Sequence, residues 1–179
     1  MPILRDVILE NGRGGAILVG DSASAIAGLS PSSLRFDTIF FAAAEFPPPY
    51  AHLAKASTRS LVCHVQLTTR AAGEISRGEI IGASQAAEMV KKLYVENRPV
   101  LITSFEGRDR APLIAALAYY LVLSSDGEWC DGAMALKHVR SCRQIEGPVL
   151  TNPSVVSFLQ GLPSMSGSEH SGPQILIAS

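Results

Sequence analysis

Val100-Leu101-Ile102-Thr103-Ser104-Phe105-Glu106-Gly107-Arg108-Asp109-Arg110-Ala111-Pro112 passes from an apolar, β-branched run through a seven-residue loop into the alanine- and leucine-rich stretch 111–123. The spacing predicts a short buried strand over 100–103 and a buried helix over 111–123. A strand that feeds through a loop straight into a helix builds a place for an anion. Successive backbone N–H groups in such a loop converge on one point, and the helix N-terminus adds roughly half a positive charge and unpaired amides. Gly107 lets the backbone come close to the anion. Arg110, at the end of the loop, can reach back with a planar fork that matches two phosphate oxygens. Pro112 suits the first helical turn, where its missing N–H costs nothing.

Working outward, the run 84–97 places Ala87, Val90, Leu93 and Tyr94 at helical spacing, so a helix precedes the strand. Residues 60–67 form another β-rich run. Residues 36–44 read as a buried strand carrying Ile39, Phe40 and Phe41, which ends near Glu45 before Pro47-Pro48-Pro49. Residues 3–9 and 16–19 predict two strands joined by the turn Asn11-Gly12-Arg13-Gly14-Gly15. Those glycines precede a strand, whereas nucleotide-binding glycine loops follow a strand and open a helix, so they are read as a turn. Asp21 or Ser22 is placed to cap a short helix reaching residue 29. Downstream, a helix is expected over about 130–143, and Asn152-Pro153 opens a last one through Leu159. Strands alternating with helices predict an α/β fold with a central, mostly parallel sheet flanked by helices over residues 1–161. Residues 162–179, rich in Ser, Gly and Pro, are expected to form a C-terminal tail, with Ile175-Leu176-Ile177 able to dock on the body. The polar stretch 68–78 has no regular period and is a candidate functional loop.

Composition narrows the partners. Hydrophobic residues make up 47% of the 179 and charged residues only 17%, which excludes a disordered charged tail and favours one densely packed domain. A net charge of −1 and a pI near 6.4 provide no general field for nucleic acid, so any bound anion must be held locally. Four charged side chains do fall within the five residues 106–110. Three widely spaced cysteines, Cys63, Cys130 and Cys142, fit neither a disulfide framework nor a zinc site and suit a reducing compartment. The N-terminus is charged within six residues, and the longest apolar run, 113–123, is about half the ~20 residues that cross a membrane. The expectation is a soluble cytoplasmic protein without cofactor or metal, and the oligomeric state is left open.

The loop resembles the signature of the protein tyrosine phosphatase superfamily, in particular its small dual-specificity branch. That signature is a Cys, five residues and an Arg between a hydrophobic strand and a helix, with Gly three residues after the Cys. Gly107 and Arg110 match, and Ser104 stands at the nucleophile position. The resemblance extends over roughly residues 15–160. It takes in 16–23 as an early strand, 36–41 as the next, the helix before the loop, and the basic segment Val139-Arg140-Ser141-Cys142-Arg143 followed by Asn152-Pro153. The family resemblance implies a cysteine-phosphatase-like fold in which residues 105–110 (Phe105, Glu106, Gly107, Arg108, Asp109 and Arg110) hold a phosphate. It implies hydrolysis of a phosphate monoester, on a phosphorylated protein or a small phosphate ester, through a covalent intermediate.

Three departures bear on that activity. A serine hydroxyl stays protonated near neutral pH and needs an adjacent base, which the loop offers only as Glu106 and Asp109. Either Ser104 is an engineered replacement that traps ligand, favoured by an otherwise intact loop, or the chain is a natural pseudophosphatase that binds phosphate without turnover. Next, the family carries an acidic Asp after the strand matching 60–67, where this chain has Leu67-Thr68-Thr69-Arg70. Substitutes are Asp109, because Gly107-Arg108-Asp109-Arg110 resembles the Gly-x-Asp-Arg of myotubularin-type lipid phosphatases, or Glu74 or Glu79 from the irregular stretch. If Asp109 is the acid, a phosphoinositide substrate enters consideration; otherwise Asp109 bonds loop amides or pairs with Arg108. Finally, Ala111 replaces the Ser or Thr whose hydroxyl assists departure of the thiolate; Thr103 either compensates or is satisfied by backbone.

Other residues are read more plainly. Phe105 and Arg108 project from the rim, to contact ligand or simply to pack and be solvated. His64 is expected to be a satisfied core histidine and Cys63 a buried small hydrophobe. Arg140 and Arg143 share a helix face, either extending positive surface toward the loop or lying in solvent. Trp129 is expected to anchor the turn between the two long helices.

Overall fold

A computed structural model describes residues 5–24, 36–45, 60–68, 73–145 and 147–165. Strands β1 (Arg5–Glu10), β2 (Ala16–Gly20), β3 (Thr38–Ala43), β4 (Leu61–Gln66) and β5 (Pro99–Thr103) form one sheet in the order β1-β2-β5-β3-β4. Four strands are parallel, and β1 closes one edge as the antiparallel partner of β2. Parallel strands buried on both faces read as continuous apolar runs, as Ile39-Phe40-Phe41-Ala42-Ala43 and Val100-Leu101-Ile102 do. Thr103 pairs in register with Gly20 on one side and Phe41 on the other. The loop that leaves β5 therefore emerges at the middle of the sheet, at the carboxyl ends of its parallel strands, where open α/β sheets place their ligands.

The described helices are α1 (Arg77–Val95), α2 (Arg110–Ser125), α3 (Gly132–Cys142) and α4 (Pro153–Gln160). Helix α2 packs against both α1 and α3 and is buried almost all round, from Ala111 to Leu123. A helix with no solvent face needs no charges, which is where the low charge content of the chain resides. Helix α1 buries the stripe Ala83, Ala86, Ala87, Val90, Leu93 and Tyr94. It begins seven residues before the expected start. Ser76 caps it by accepting from the Glu79 amide, while the Glu79 carboxylate accepts from the Ser76 amide, and this reciprocal box outweighs Gly78 and Gly82 in the first turns.

Three other expectations change. Trp129 is half exposed; the anchor of the α2–α3 turn is its neighbour Cys130, fully buried and paired through both backbone groups with Met165. His64 lies exposed on the edge strand β4, its Nε2 2.9 Å from the Ala43 carbonyl, and so is not a core residue. Beyond α4, Leu162 is buried and the Tyr120 hydroxyl donates to the Pro163 carbonyl, so residues 162–165 are tied to the body. The carboxylate of Asp21 accepts from the Ser24 amide at 2.8 Å, as a capping residue does, but the rest of the expected short helix, Pro47-Pro48-Pro49, Arg70 and 175–177 lie outside the described residues.

Candidate phosphate-binding site

The loop 104–109 begins where β5 ends. Thr103 is fully buried and its hydroxyl donates to the Phe40 carbonyl at 3.2 Å, which satisfies it inside the sheet. Ser104 is 4% exposed, and its hydroxyl oxygen accepts from the Gly107 amide at 3.1 Å. Among the described residues no carboxylate or imidazole lies within hydrogen-bond distance of that hydroxyl.

Three carbonyls of this loop are tied to other segments. Phe105 accepts from the Ser22 amide at 3.3 Å, Gly107 from an Arg143 guanidinium nitrogen at 3.0 Å, and Arg108 from the Leu150 amide at 2.9 Å. In a planar trans peptide the next N–H points opposite to the carbonyl, so the amides of Glu106, Arg108 and Asp109 each turn away from the partner that holds the carbonyl before it. None of these three amides has a protein acceptor among the described residues. Glu106 is exposed and Arg108 and Asp109 are half-buried, and backbone amides that no protein acceptor takes are groups an anion can satisfy. Gly107 makes the loop possible: its φ of +64° is left-handed, and a Cβ there would stand 2.8 Å from both Arg143 Nη2 and the Gly20 carbonyl oxygen.

Arg110 opens helix α2, so its charge and the helix N-terminus share one place. Its Nη2 reaches the Thr68 carbonyl at 3.4 Å. Thr68 is itself gripped by Glu79, whose Oε1 accepts from the Thr68 amide at 2.6 Å and its hydroxyl at 3.0 Å, while Oε2 accepts from the Ser76 amide and hydroxyl. Glu79 is thus a buried cap rather than an acid on an irregular loop. Glu74 is exposed, in a segment tied to α4 through Gly73, which accepts from Asn152 Nδ2, and Ile75, which donates to the Ser154 hydroxyl.

Asp109 precedes α2 without capping it; its Oδ1 accepts from the Thr151 amide at 2.9 Å. This amide contact, made outside the loop, lashes the loop to 147–152. Arg140 holds the same segment from the other side: it lies on an exposed helix face, as one of the two expectations had it, and donates to the carbonyls of Val149 and Leu150. Arg143 is the larger correction. It caps the end of α3, is buried, and pairs with Asp6 at 2.6 Å behind the loop. Burial pushes its pKa down, and the carboxylates of Asp6 and Asp21 push it back. On the rim, half-exposed Phe105 meets Phe41 edge-on at 5.6 Å, and Arg108 lies 3.8 Å from the exposed Glu106 carboxylate.

The three cysteines are free. Burial raises the pKa of Cys63, and burial followed by Asp131 and Glu128 pushes Cys130 up to about 11, so neither is a thiolate near neutral pH. Among the described residues no His, Cys, Asp and Glu cluster could hold a metal ion, and no helix is long and apolar enough to cross a membrane.

The sheet order, the loop between β5 and α2 and the helices behind it together define the fold of the dual-specificity and tyrosine phosphatases. No protein-family model and no curated protein matches the chain in sequence. Among solved structures it is similar to human DUSP28, at a TM-score of 0.63 and 16% identity over 89% of this chain and 93% of that one. It is similar also to kinase associated phosphatase with its catalytic cysteine replaced by serine, at 0.61 and 17% over 89% and 93%. The OH1 tyrosine phosphatase of Orf virus matches at 0.59 and 17%, over 80% and 79%. At these identities the likeness is one of fold.

Proposed function

We propose that this chain is a phosphate-monoester-binding domain of phosphatase type that holds its ligand and, with Ser104 in place, does not cleave it. The observation that carries the reading is the contrast inside one loop. The groups that bind an anion are arranged for it: three amides without an acceptor among the described residues, the α2 N-terminus and Arg110. Among the described residues most of the groups that would do chemistry are missing or engaged elsewhere, exposed Glu74 excepted. Ser104 has the Gly107 amide and no base among the described residues, the Thr103 hydroxyl serves Phe40, Ala111 carries no hydroxyl, Glu79 is a helix cap and one Asp109 oxygen is taken by Thr151. An engineered exchange at one position accounts for Ser104 alone, whereas a pseudophosphatase accounts for all of these together. The ligand class is a phosphorylated protein or a small phosphate ester.

Replacing Ser104 by Cys tests the reading. The thiol would ionise beside the amides and Arg110 and attack phosphorus, the P–O bond to the leaving group breaking as the P–S bond forms. With Ala111 in the second step, 4-nitrophenyl phosphate should give a burst of about one nitrophenolate per folded chain and then slow turnover, which Ala111→Ser speeds. The unaltered chain should release none. Steady release by the unaltered chain would overturn the proposal, and a folded, fully inert Ser104→Cys variant would remove the phosphatase parentage.

A further inference from the structure

Resting on the phosphate-binding reading, we infer that the buried Arg143–Asp6 pair is the positioning element that keeps the loop in its anion-receiving shape, which makes strand β1 part of the binding machinery. β1 is the outer strand of the sheet, separated from β5 by β2. Its Asp6 carboxylate nevertheless accepts from Arg143 Nη1 at 2.6 Å and from the Gln144 amide at 3.1 Å. Nη1 donates also to the Val19 carbonyl at 2.9 Å, and the other arm of the fork, Nη2, donates to the Gly107 carbonyl at 3.0 Å. One end of a rigid guanidinium is thus fixed on two strands, and the remaining end is aimed at one peptide of the loop.

That peptide decides the sign of the site. With the Gly107 carbonyl held outward, the Arg108 amide faces the ligand side. Glycine rotates freely, so without a donor behind it the Gly107 peptide can turn over and present an oxygen to the anion in place of an N–H. The Phe105 and Arg108 carbonyls are secured by backbone amides, which no side-chain substitution removes. The Gly107 carbonyl hangs on Arg143 instead, and Arg143 is aimed by Asp6. A lone buried guanidinium would be costly, and a lysine in its place is a single point donor that cannot span Asp6, Val19 and Gly107 at once.

Titration calorimetry with inorganic phosphate at fixed ionic strength tests this, using the full chain, Arg143→Lys, Asp6→Asn and Arg110→Ala. Arg143→Lys and Asp6→Asn should each weaken phosphate binding about tenfold or more well below their melting temperatures, with a cooperative fold retained. A merely stabilising pair would lower the melting temperature and leave the affinity of the folded protein unchanged. If the single variants do not fold, the double variant Asp6→Leu/Arg143→Met removes both charges together, a change that buried pairs commonly tolerate, and should fold and bind weakly. Parent-like affinity in Arg143→Lys or in the double variant overturns this inference alone. A parent chain that binds no phosphate, or binds it equally after Arg110→Ala, overturns the functional reading and this inference with it.

Discussion

Replacing Glu79 by Ala should destabilise the domain and loosen the phosphate site while leaving the chemistry of any restored nucleophile untouched. The Glu79 carboxylate is buried and accepts four hydrogen bonds, two from Ser76 at the start of α1 and two from Thr68. Hydrogen bonds to a charged group contribute about 1.5–3 kcal/mol each when one is removed, and loss of a helix cap about 1 kcal/mol, but the four share one carboxylate and do not add. A loss of about 3 kcal/mol is the reasonable sum. On a domain of this size that corresponds to a fall of roughly 6–12 °C in melting temperature. Glu79→Gln keeps the shape but faces its amide toward donors at one end, and should lose about half as much. Urea denaturation, with the slope of the transition unchanged, reads these values directly. Because Thr68 carries the carbonyl that Arg110 meets, phosphate affinity should also fall a few-fold. A stability change within ~0.5 kcal/mol, typical of an unremarkable surface site, would refute the cap role. So would a Glu79→Gln variant that, on the Ser104→Cys background, is folded and selectively slow on phenyl phosphate, for that is the mark of a proton donor.

Gly107→Ala should abolish phosphate binding: the left-handed φ alone costs about 1–2 kcal/mol for an L-residue, and the new methyl meets Arg143 Nη2 and the Gly20 carbonyl at 2.8 Å. On the Ser104→Cys background, Asp109→Asn should slow 4-nitrophenyl and phenyl phosphate by the same factor, as expected of a tether to Thr151; a larger loss on phenyl phosphate would make Asp109 the acid. At alkaline pH the fold should weaken. Burial raises the pKa of Cys130 to about 11 and also raises those of Tyr119 and Tyr120, so the native state holds protons that the unfolded chain releases above about pH 9. Their contribution is present in full below that pH and is lost as pH climbs toward 11, which thermal melts at pH 7, 9 and 10.5 check; a melting temperature that stays level or rises would contradict it.

What the sequence made legible was local. The run from Val100 to Pro112 carries strand, loop and helix within 13 residues, so its fold and anion geometry follow from neighbours in the chain. The capping box Ser76-Arg77-Gly78-Glu79 was equally local, but two glycines in the first turns of α1 and the absence of helical period over 68–78 obscured it. Trp129 is the one Trp of the chain, but the turn sets its neighbour Cys130 inward instead. His64 misled because an apolar strand pattern does not tell an edge strand from a central one, and β4 is an edge. The Arg143–Asp6 pair joins residues 137 apart and leaves no mark on either local pattern. Sequence spacing assigned Arg143 to a helix face; the fold turned it inward at the end of α3, where β1 supplies the carboxylate it pairs with.

Under the proposed function the loop 104–110 holds a phosphate monoester and does not break it. Titrating the unaltered chain with 4-nitrophenyl phosphate, while recording heat and nitrophenolate absorbance in the same cell, tests both halves at once. The expected result is saturable binding at one site per chain, no nitrophenolate over hours, and loss of the heat signal in a folded Arg110→Ala variant. Absence of binding, binding indifferent to Arg110, or release of nitrophenolate by the unaltered chain would contradict it.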